Sequence, residues 1–273
     1  MPKFSTMLLL LACTLLAACG GGGNTTDPNF ELLAMHCGDQ VAVSALPYRA
    51  ENNPWGKNAD DVSAQCIGAD VGTGGVMVGA WTWDWSNTTN TNDIKAYPEI
   101  IFGRKPGAPT TSGALPKRVD SIAVATVSYN VSSVHTGKGN TAFDIWLTNT
   151  PNPSAFAAPP ITHEIMIWLE SYGNLSSSGT LLERVTVDGS EYDVFVADNF
   201  GSGGITSGWR YIAFERVTPQ LGAASLNVAA FLTYLRAKNL ITGSEYLASI
   251  EFGNEVVNGV GETHLHSYTV DVR

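Results

Sequence analysis

A single acidic residue, Glu164, stands among apolar side chains in the run 163–169. Side chains alternate between the two faces of a strand, so Glu164 would share one face with Met166 and Trp168, and the other face would be wholly aliphatic. The aliphatic face predicts packing in a core. A carboxylate in such a run is costly unless it has a partner or a chemical task, so its own face predicts a cleft. The alternative interpretation is a glutamate at a strand end that pairs with a nearby arginine.

Further acidic residues could act together with Glu164. Asp144 lies in another apolar run, 141–147. Glu251 and Glu255 would share one face of a regular strand, so their spacing alone does not choose between them. Both therefore remain candidates at this point.

The other charged residues near these runs are given ordinary structural roles. His163 would face away from Glu164, and no metal site is predicted, because an exposed face of the last strand explains the alternation of Glu262, His264 and His266. The glutamates interpreted as solvated charges are Glu99, Glu170 and Glu262.

Three tryptophans, Trp81, Trp83 and Trp85, fall on one face of a predicted strand. They could form a buried core face, since Trp is costly to expose, or a flat platform for a sugar ring. Trp85 is the one assigned to a cleft, because the polar loop 86–89 begins beside it.

The composition narrows the class of protein. The 273 residues are 44% hydrophobic and only 15% charged, with a net charge of −10. Nucleic acids and anionic membrane surfaces are therefore excluded as partners, whereas a neutral polysaccharide is compatible with this charge.

The N-terminus has the pattern of an export signal. Residues 1–18 combine Lys3 with an apolar stretch too short to span a bilayer, and a lipobox-like Leu-Ala-Ala-Cys at 16–19 crosses the end of this segment. We expect Cys19 to be lipidated and residues 19–35 to form a flexible linker, which gives a cell-surface or outer-membrane lipoprotein. Contact with a membrane would then occur only through the lipid. The alternative is an ordinary signal peptide and a secreted protein.

Two cysteines remain in the exported part of the chain. Cys37 and Cys66 form an even pair, so we expect a disulfide that closes a loop of about 30 residues and stabilises the fold by roughly 3 kcal/mol.

The rest of the chain predicts an all-β domain over residues 36–273. Short alternating runs are separated by Gly, Asn, Pro and Ser, which is typical of a two-sheet jelly-roll sandwich with a concave cleft. One amphipathic helix follows Ser225 as its predicted N-cap. Its apolar positions are Val228, Phe231, Leu232 and Leu235.

Several short motifs, taken together and in order, resemble glycoside hydrolase family 12. They are Asn-Pro-Trp-Gly at 53–56, Tyr-Pro at 97–98, Phe-Asp-Ile-Trp-Leu at 143–147, Glu-Ile-Met-Ile-Trp-Leu at 164–169, Trp-Arg-Tyr-Ile-Ala at 209–213 and Phe-Gly-Asn-Glu at 252–255. The tryptophan run and residues 251–261 look most like bacterial members that act on xyloglucan.

The resemblance implies a retaining hydrolase of β-1,4-glucan, without a cofactor. Glu164 matches the nucleophile, Glu255 the acid/base, and Asp144 the acid that hydrogen-bonds the nucleophile. The predicted substrate-binding residues are Asn53, Trp55, Trp85, Tyr97, Tyr129, Met166, Trp168 and Trp209.

The chemistry of a retaining hydrolase sets an expectation for the charges. Two carboxyl groups about 5 to 5.5 Å apart are required, and ionising one raises the pKa of the other. We therefore expect Glu164 to be ionised and Glu255 to be protonated at working pH.

The expected substrate is xyloglucan or a cellulose-type glucan, and the protein is expected to be a monomer. The rival hypothesis is a non-catalytic carbohydrate-binding lipoprotein that uses the same tryptophans.

Overall fold

The computed structural model describes residues 33–88, 92–201 and 208–273. Within these ranges the chain forms strands, one α-helix and two short 3₁₀ turns, Thr73–Gly75 and Val119–Ser121. The strands and the helix are β1 (His36–Cys37), β2 (Ala42–Ala45), β3 (Tyr48–Glu51), β4 (Val62–Val71), β5 (Met77–Asn87), β6 (Glu99–Gly103), β7 (Lys117–Arg118), β8 (Ala125–His135), β9 (Lys138–Thr148), β10 (Ile161–Tyr172), β11 (Thr180–Val187), β12 (Ser190–Phe200), β13 (Trp209–Arg216), β14 (Gly222–Asn227), α1 (Val228–Ala237), β15 (Tyr246–Gly253) and β16 (Val256–Val272).

The strands form two layers. One layer, which we call the cleft sheet, has the order β2-β3-β6-β15-β9-β10-β13-β12-β11. The other layer, the outer sheet, has the order β1-β4-β5-β16-β8-β14, and the start of β16 also pairs with β9. Among these described pairs all are antiparallel except β10 with β13. The predicted all-β jelly-roll sandwich with one helix is confirmed.

Strand β10 has the two predicted faces. Ile165, Ile167 and Leu169 lie in the main hydrophobic core. Met166 and Trp168, on the opposite face, belong to a separate apolar cluster at the cleft. The strict alternation therefore decides which side chains of β10 reach the cleft, because a slip of one residue would exchange the faces.

The helix begins two residues later than expected. Ser225 lies in β14 opposite Ser128, and Asn227 is the N-cap, since its side chain accepts a hydrogen bond from the backbone N–H of Ala230. The helix lies against β8 and β11. Its predicted apolar residues are all buried: Val228, Phe231, Leu232 and Leu235.

Two predicted substrate contacts, Trp85 and Tyr129, are wrong. Both side chains lie in the core between the sheets, and Trp85 is fully buried with its Nε1 donating to Gln65 Oε1 at 2.9 Å. Tyr129 packs near Phe143 and Phe252. The reason is that β5 and β8 belong to the outer sheet, so their apolar faces point at the core and not at the cleft.

The predicted disulfide is present. Cys37 and Cys66 are register partners on β1 and β4, and a disulfide joins them across 29 residues of sequence. The predicted signal segment and Cys19 lie outside the described residues. In the described part of the chain, no helix is both long and apolar enough to cross a membrane.

Candidate active site

A cleft of about 930 Å³ lies on the exposed face of the cleft sheet. Four acidic residues on or next to its central strands line it: Asp144, Glu164, Glu251 and Glu255. Aromatic side chains line the rest: Trp55, Tyr97, Trp146, Phe156, Trp168, Phe200, Trp209 and Tyr211. A long groove with aromatic walls and a few convergent carboxyl groups is suited to a sugar chain and to acid-base chemistry on it.

Glu164 lies in the middle of β10, opposite Trp146 on β9 and Tyr211 on β13. Its Oε2 accepts a hydrogen bond of 2.6 Å from Trp209 Nε1. The pKa of Glu164 is raised to about 8: burial is the largest cause of the rise, and the charges of Glu255 and Glu251 add to it. The Trp209 N–H acts in the opposite direction, because it stabilises the ionised carboxylate.

Glu255 lies in the connection between β15 and β16, where Asn140 holds it. The Asn140 side chain donates from Nδ2 to Glu255 Oε2 at 2.5 Å and accepts from the Glu255 backbone N–H at 3.1 Å. The backbone N–H of Asn140 also donates to the Glu255 carbonyl at 3.0 Å. Burial raises the pKa of Glu255 to about 7, and the bond from Asn140 opposes this rise.

Burial raises the pKa of both glutamates, to about 8 for Glu164 and to about 7 for Glu255. The repulsion between two carboxylates acts on both partners, so the raised pKa values belong to the pair and not to one residue. Near neutral pH the pair therefore retains a proton. The expectation that Glu164 is ionised and Glu255 protonated stays a prediction.

Asp144 is in the cleft, but its expected hydrogen bond to Glu164 is not formed among the described residues. The register places Asp144 opposite Met166 and Glu251, two pairs away from Glu164 on the same face of the sheet. Its Oδ1 is buried and has no donor in the described part of the chain. Burial raises the pKa of Asp144 well above its usual value, and the charge of Glu164 raises it further. Burial and the neighbouring carboxylate therefore both favour the neutral form of Asp144.

The interpretation of Glu99 and Glu170 as solvated charges is wrong. Glu99 is fully buried and accepts hydrogen bonds from Asn53 and Lys105. Glu170 accepts from Thr141 Oγ1 at 2.9 Å and pairs with His135 at 3.1 Å. A signal for Glu99 was available, since it directly precedes the apolar run Ile-Ile-Phe of β6.

The other predicted substrate-binding residues line the cleft. Trp55 is 63% exposed, so its ring is accessible to a sugar. Tyr97 is buried, and its hydroxyl donates to the Ala142 carbonyl at 2.9 Å. Four more complete the set that lines the cleft: Asn53, Met166, Trp168 and Trp209.

The predicted substrate-binding set missed four aromatic residues that line the cleft: Trp146, Phe156, Phe200 and Tyr211. Phe156 lies in the loop 149–160, and its ring contacts Trp146 and Trp209 edge-on, with centroid distances of 4.7 and 5.8 Å. It is half exposed. The proline-rich loop has no periodicity, so nothing in the sequence indicated that this ring would join the wall beside Glu164.

The histidines lie away from this chemistry. His163 contacts Thr162 Oγ1 and the Leu240 carbonyl, on the side of β10 opposite the cleft. Glu262 and His264 pair at 3.6 Å on the outer sheet. Within the described ranges, no group of three or more His, Cys, Asp and Glu side chains has the arrangement of a metal site.

Comparison with known proteins agrees with this architecture. The profile of glycosyl hydrolase family 12 matches residues 46–273. The chain belongs to glycosyl hydrolase family 12. The family 12 xyloglucanase of Bacillus licheniformis, solved in complex with ligand, superposes with a TM-score of 0.76 at 30% identity, covering 88% of this chain and all of that one. The resemblance seen in the sequence is therefore confirmed.

The names of sequence relatives give information on activity. Endoglucanase S of Pectobacterium parmentieri is 31% identical over 243 residues, which cover 86% of this chain and 85% of the relative. An inactive glycoside hydrolase of Phytophthora nicotianae is 26% identical over 228 residues, which cover 82% and 85% of the two chains. This chain is a glycoside hydrolase, and Glu164 and Glu255 line the same cleft.

Proposed function

We propose that the protein hydrolyses internal β-1,4 linkages of glucan with retention of configuration, with Glu164 as nucleophile and Glu255 as acid/base. One observation carries the proposal: both carboxyl groups line the same cleft, and each has one oxygen bound by a donor, Trp209 or Asn140. Each donor stabilises the ionised form of its carboxyl group, so either group can lose a proton during the cycle.

The reaction proceeds in two steps. Glu255 gives its proton to the glycosidic oxygen while the Glu164 carboxylate bonds to the anomeric carbon, and the leaving chain departs as an alcohol. Glu255, now ionised, removes a proton from water, whose oxygen attacks the anomeric carbon and releases Glu164. The pair begins and ends with one shared proton. Both raised pKa values favour this singly protonated state near neutral pH.

The substrate is a soluble β-1,4-glucan chain, with xyloglucan and cellulose-type glucan as the two candidates. The cleft is open, and exposed Trp55 and Phe156 line it together with the catalytic pair. The relatives support both candidates, since one is named an endoglucanase and a structural relative is a xyloglucanase.

The test is release of reducing ends from xyloglucan, mixed-linkage β-glucan and carboxymethyl cellulose. Glu164→Gln and Glu255→Gln should each lower turnover by roughly a thousandfold or more, while circular dichroism stays unchanged. Near wild-type rates in either variant would refute the assignment. Binding of glucan without any hydrolysis by the wild type would favour the rival hypothesis, a carbohydrate-binding lipoprotein.

We also propose that the protein is exported, carries lipid on Cys19 and acts as a monomer. The Cys37–Cys66 disulfide supports export, since disulfides persist in oxidising compartments. Replacement of Cys19 by Ala should move the full-length protein from the membrane fraction to the soluble fraction of the host. Sedimentation of the soluble form tests the monomer.

A further inference from the structure

Glu99 is a buried carboxyl group beneath one end of the cleft. It begins β6, opposite Glu51 on β3 and Gly253 on β15. Its Oε1 accepts two hydrogen bonds, from Asn53 Nδ2 at 2.7 Å and from Lys105 Nζ at 2.5 Å. Asn53 and Lys105 line the cleft, whereas Glu99 does not. Glu99 therefore acts on a ligand only through the residues that it holds.

The two donors on Glu99 decide how the Asn53 amide is turned. An ammonium group cannot accept a hydrogen bond, so Lys105 keeps Glu99 Oε1 as an acceptor, and Asn53 must present its NH₂ group to it. The amide oxygen then faces away from Glu99. In the described ranges nothing donates to Asn53 Oδ1, and this atom is not among the buried unpaired ones. It is thus an accessible acceptor at the cleft wall.

The backbone at Asn53 is also fixed. Its φ is +42°, a left-handed conformation that Asn tolerates better than most residues. Its carbonyl accepts a hydrogen bond of 3.0 Å from the Tyr97 N–H. Two residues later Trp55 exposes its ring. The acceptor and the ring therefore lie on one short, constrained segment.

The second oxygen of Glu99 does not disturb this arrangement. Oε2 has no donor in the described part of the chain. Burial raises the pKa of Glu99 well above its usual value, Lys105 opposes this, and the neighbouring Glu251 carboxyl raises it again. A proton on Oε2 would leave Oε1 unprotonated, so Oε1 is an acceptor in either protonation state of Glu99.

We propose that Glu99, anchored by Lys105, is a positioning residue that holds the amide oxygen of Asn53 toward the bound glucan, as the acceptor for a sugar hydroxyl beside the Trp55 ring. This inference rests on the proposed function, since it assigns a substrate contact in the same cleft. It makes Glu99 and Lys105 determinants of substrate affinity, although Glu99 does not touch the substrate.

A double-mutant cycle between Glu99 and Asn53 tests the proposal. Glu99→Met should raise KM for β-glucan roughly three- to tenfold, the effect of one lost hydrogen bond, with kcat within about twofold. In an Asn53→Gly background, which keeps the left-handed backbone, Glu99→Met should add nothing. Glu99→Gln should restore the wild-type KM, because its amide oxygen still accepts from Asn53 and from Lys105.

A matched control uses a second carboxylate–ammonium pair outside the cleft. Glu183 and Lys238 are also 2.5 Å apart, so Glu183→Met should leave KM unchanged. If Glu99→Met does not fold, Lys105→Met supplies the same test, with an expected rise in KM of roughly two- to threefold. Equal effects in both Asn53 backgrounds, or an unchanged KM, would overturn the proposal. Absence of hydrolysis in the wild type would instead overturn the proposed function, and calorimetric binding of a β-1,4-gluco-oligosaccharide would still measure the coupling.

Discussion

Trp209 Nε1 donates a hydrogen bond of 2.6 Å to Glu164 Oε2. Trp209 begins β13, the strand that runs parallel to β10, so the donor reaches Glu164 from the strand beside it. An N–H donor stabilises a carboxylate more than a carboxylic acid, and it opposes the burial that raises the pKa of Glu164 to about 8. The bond thus favours the anion that a nucleophile requires.

Loss of this donor should lower kcat/KM and shift its pH profile to higher pH. In Trp209→Phe the pKa of Glu164 rises, so its ionised form becomes rarer and kcat/KM falls roughly ten- to a hundredfold. The midpoint of the bell-shaped pH profile moves to higher pH, since it is the mean of the two pKa values.

Trp146→Phe is the matched control for this variant. Trp146 lies 5.4 Å from Trp209 between ring centroids, and its Nε1 has no partner among the described residues. Its replacement should leave the midpoint of the profile in place. Equal shifts in the two variants would show that ring packing and not the N–H governs Glu164.

Asn140→Ala should impair acid catalysis selectively. Asn140 opposes the rise in the pKa of Glu255, so its loss raises that pKa above about 7 and moves the midpoint of the pH profile upward. Glu255 also loses two of its bonds to Asn140, those made by the side chain. We expect a loss of roughly tenfold or more on glucan and a much smaller loss on an aryl glycoside with a good leaving group, which needs little protonation. An equal loss on both substrates would contradict the assignment of Glu255.

Glu251→Gln should move the pH profile in the opposite direction. The charge of Glu251 raises the pKa of Glu164 and of Asp144, so a neutral amide at this position lowers both. The midpoint of the profile in kcat/KM should fall. Substantial activity should remain, since Glu251 is not assigned to the acid/base role. Complete loss of activity with an intact fold would instead favour Glu251 over Glu255.

The buried nucleophile should also destabilise the fold at high pH. The pKa of Glu164 rises from 4.5 to about 8 on folding, so the stability contribution of the protonated group is full below pH 4.5 and is lost as pH rises toward 8. Glu164→Gln has no such loss. Its Tm should exceed that of the wild type at about pH 9 by about 3 °C or more, and the gap should close near pH 4 to 5.

Glu183→Gln is the comparison variant, because the pKa of Glu183 is lowered in the folded protein whereas that of Glu164 is raised. Its pKa is lowered by the hydrogen bond from Lys238, so this variant should gain no stability at high pH. Thermal unfolding of the three proteins across the pH range measures the difference. A gap between Glu164→Gln and the wild type that does not depend on pH would contradict the linkage.

Local periodicity was sufficient to predict several of these features. The alternation around Glu164 predicted both faces of β10, and the pair Cys37 and Cys66 predicted the disulfide. The motif resemblance chose Glu255, which strand spacing alone could not do. These features depend on residues close together in the chain or on an even count of cysteines.

The failures have a common physical cause. Alternation predicts that Trp85 and Tyr129 each lie on an apolar face of a strand, but it does not predict which sheet contains that strand. Both strands belong to the outer sheet. The buried state of Glu99 depends on Lys105 and on Glu251, which is 152 residues away along the chain. The bond expected between Asp144 and Glu164 depends on side-chain geometry in the folded cleft, since the register of β9 with β10 only places the two on one face. Each outcome was decided by tertiary pairing, which short-range patterns do not specify.

The position of the last two strands has a consequence for how the molecule is made. β15 lies between β6 and β9 in the cleft sheet, and β16 lies between β5 and β8 in the outer sheet. Each layer lacks an interior strand until residues 246–272 have been synthesised, and Glu255 belongs to this segment. A chain synthesised from its N-terminus therefore cannot close the sandwich before residues 246–272 have been added. The hydrolytic cleft comes into existence only at that point, since the same segment brings Glu255.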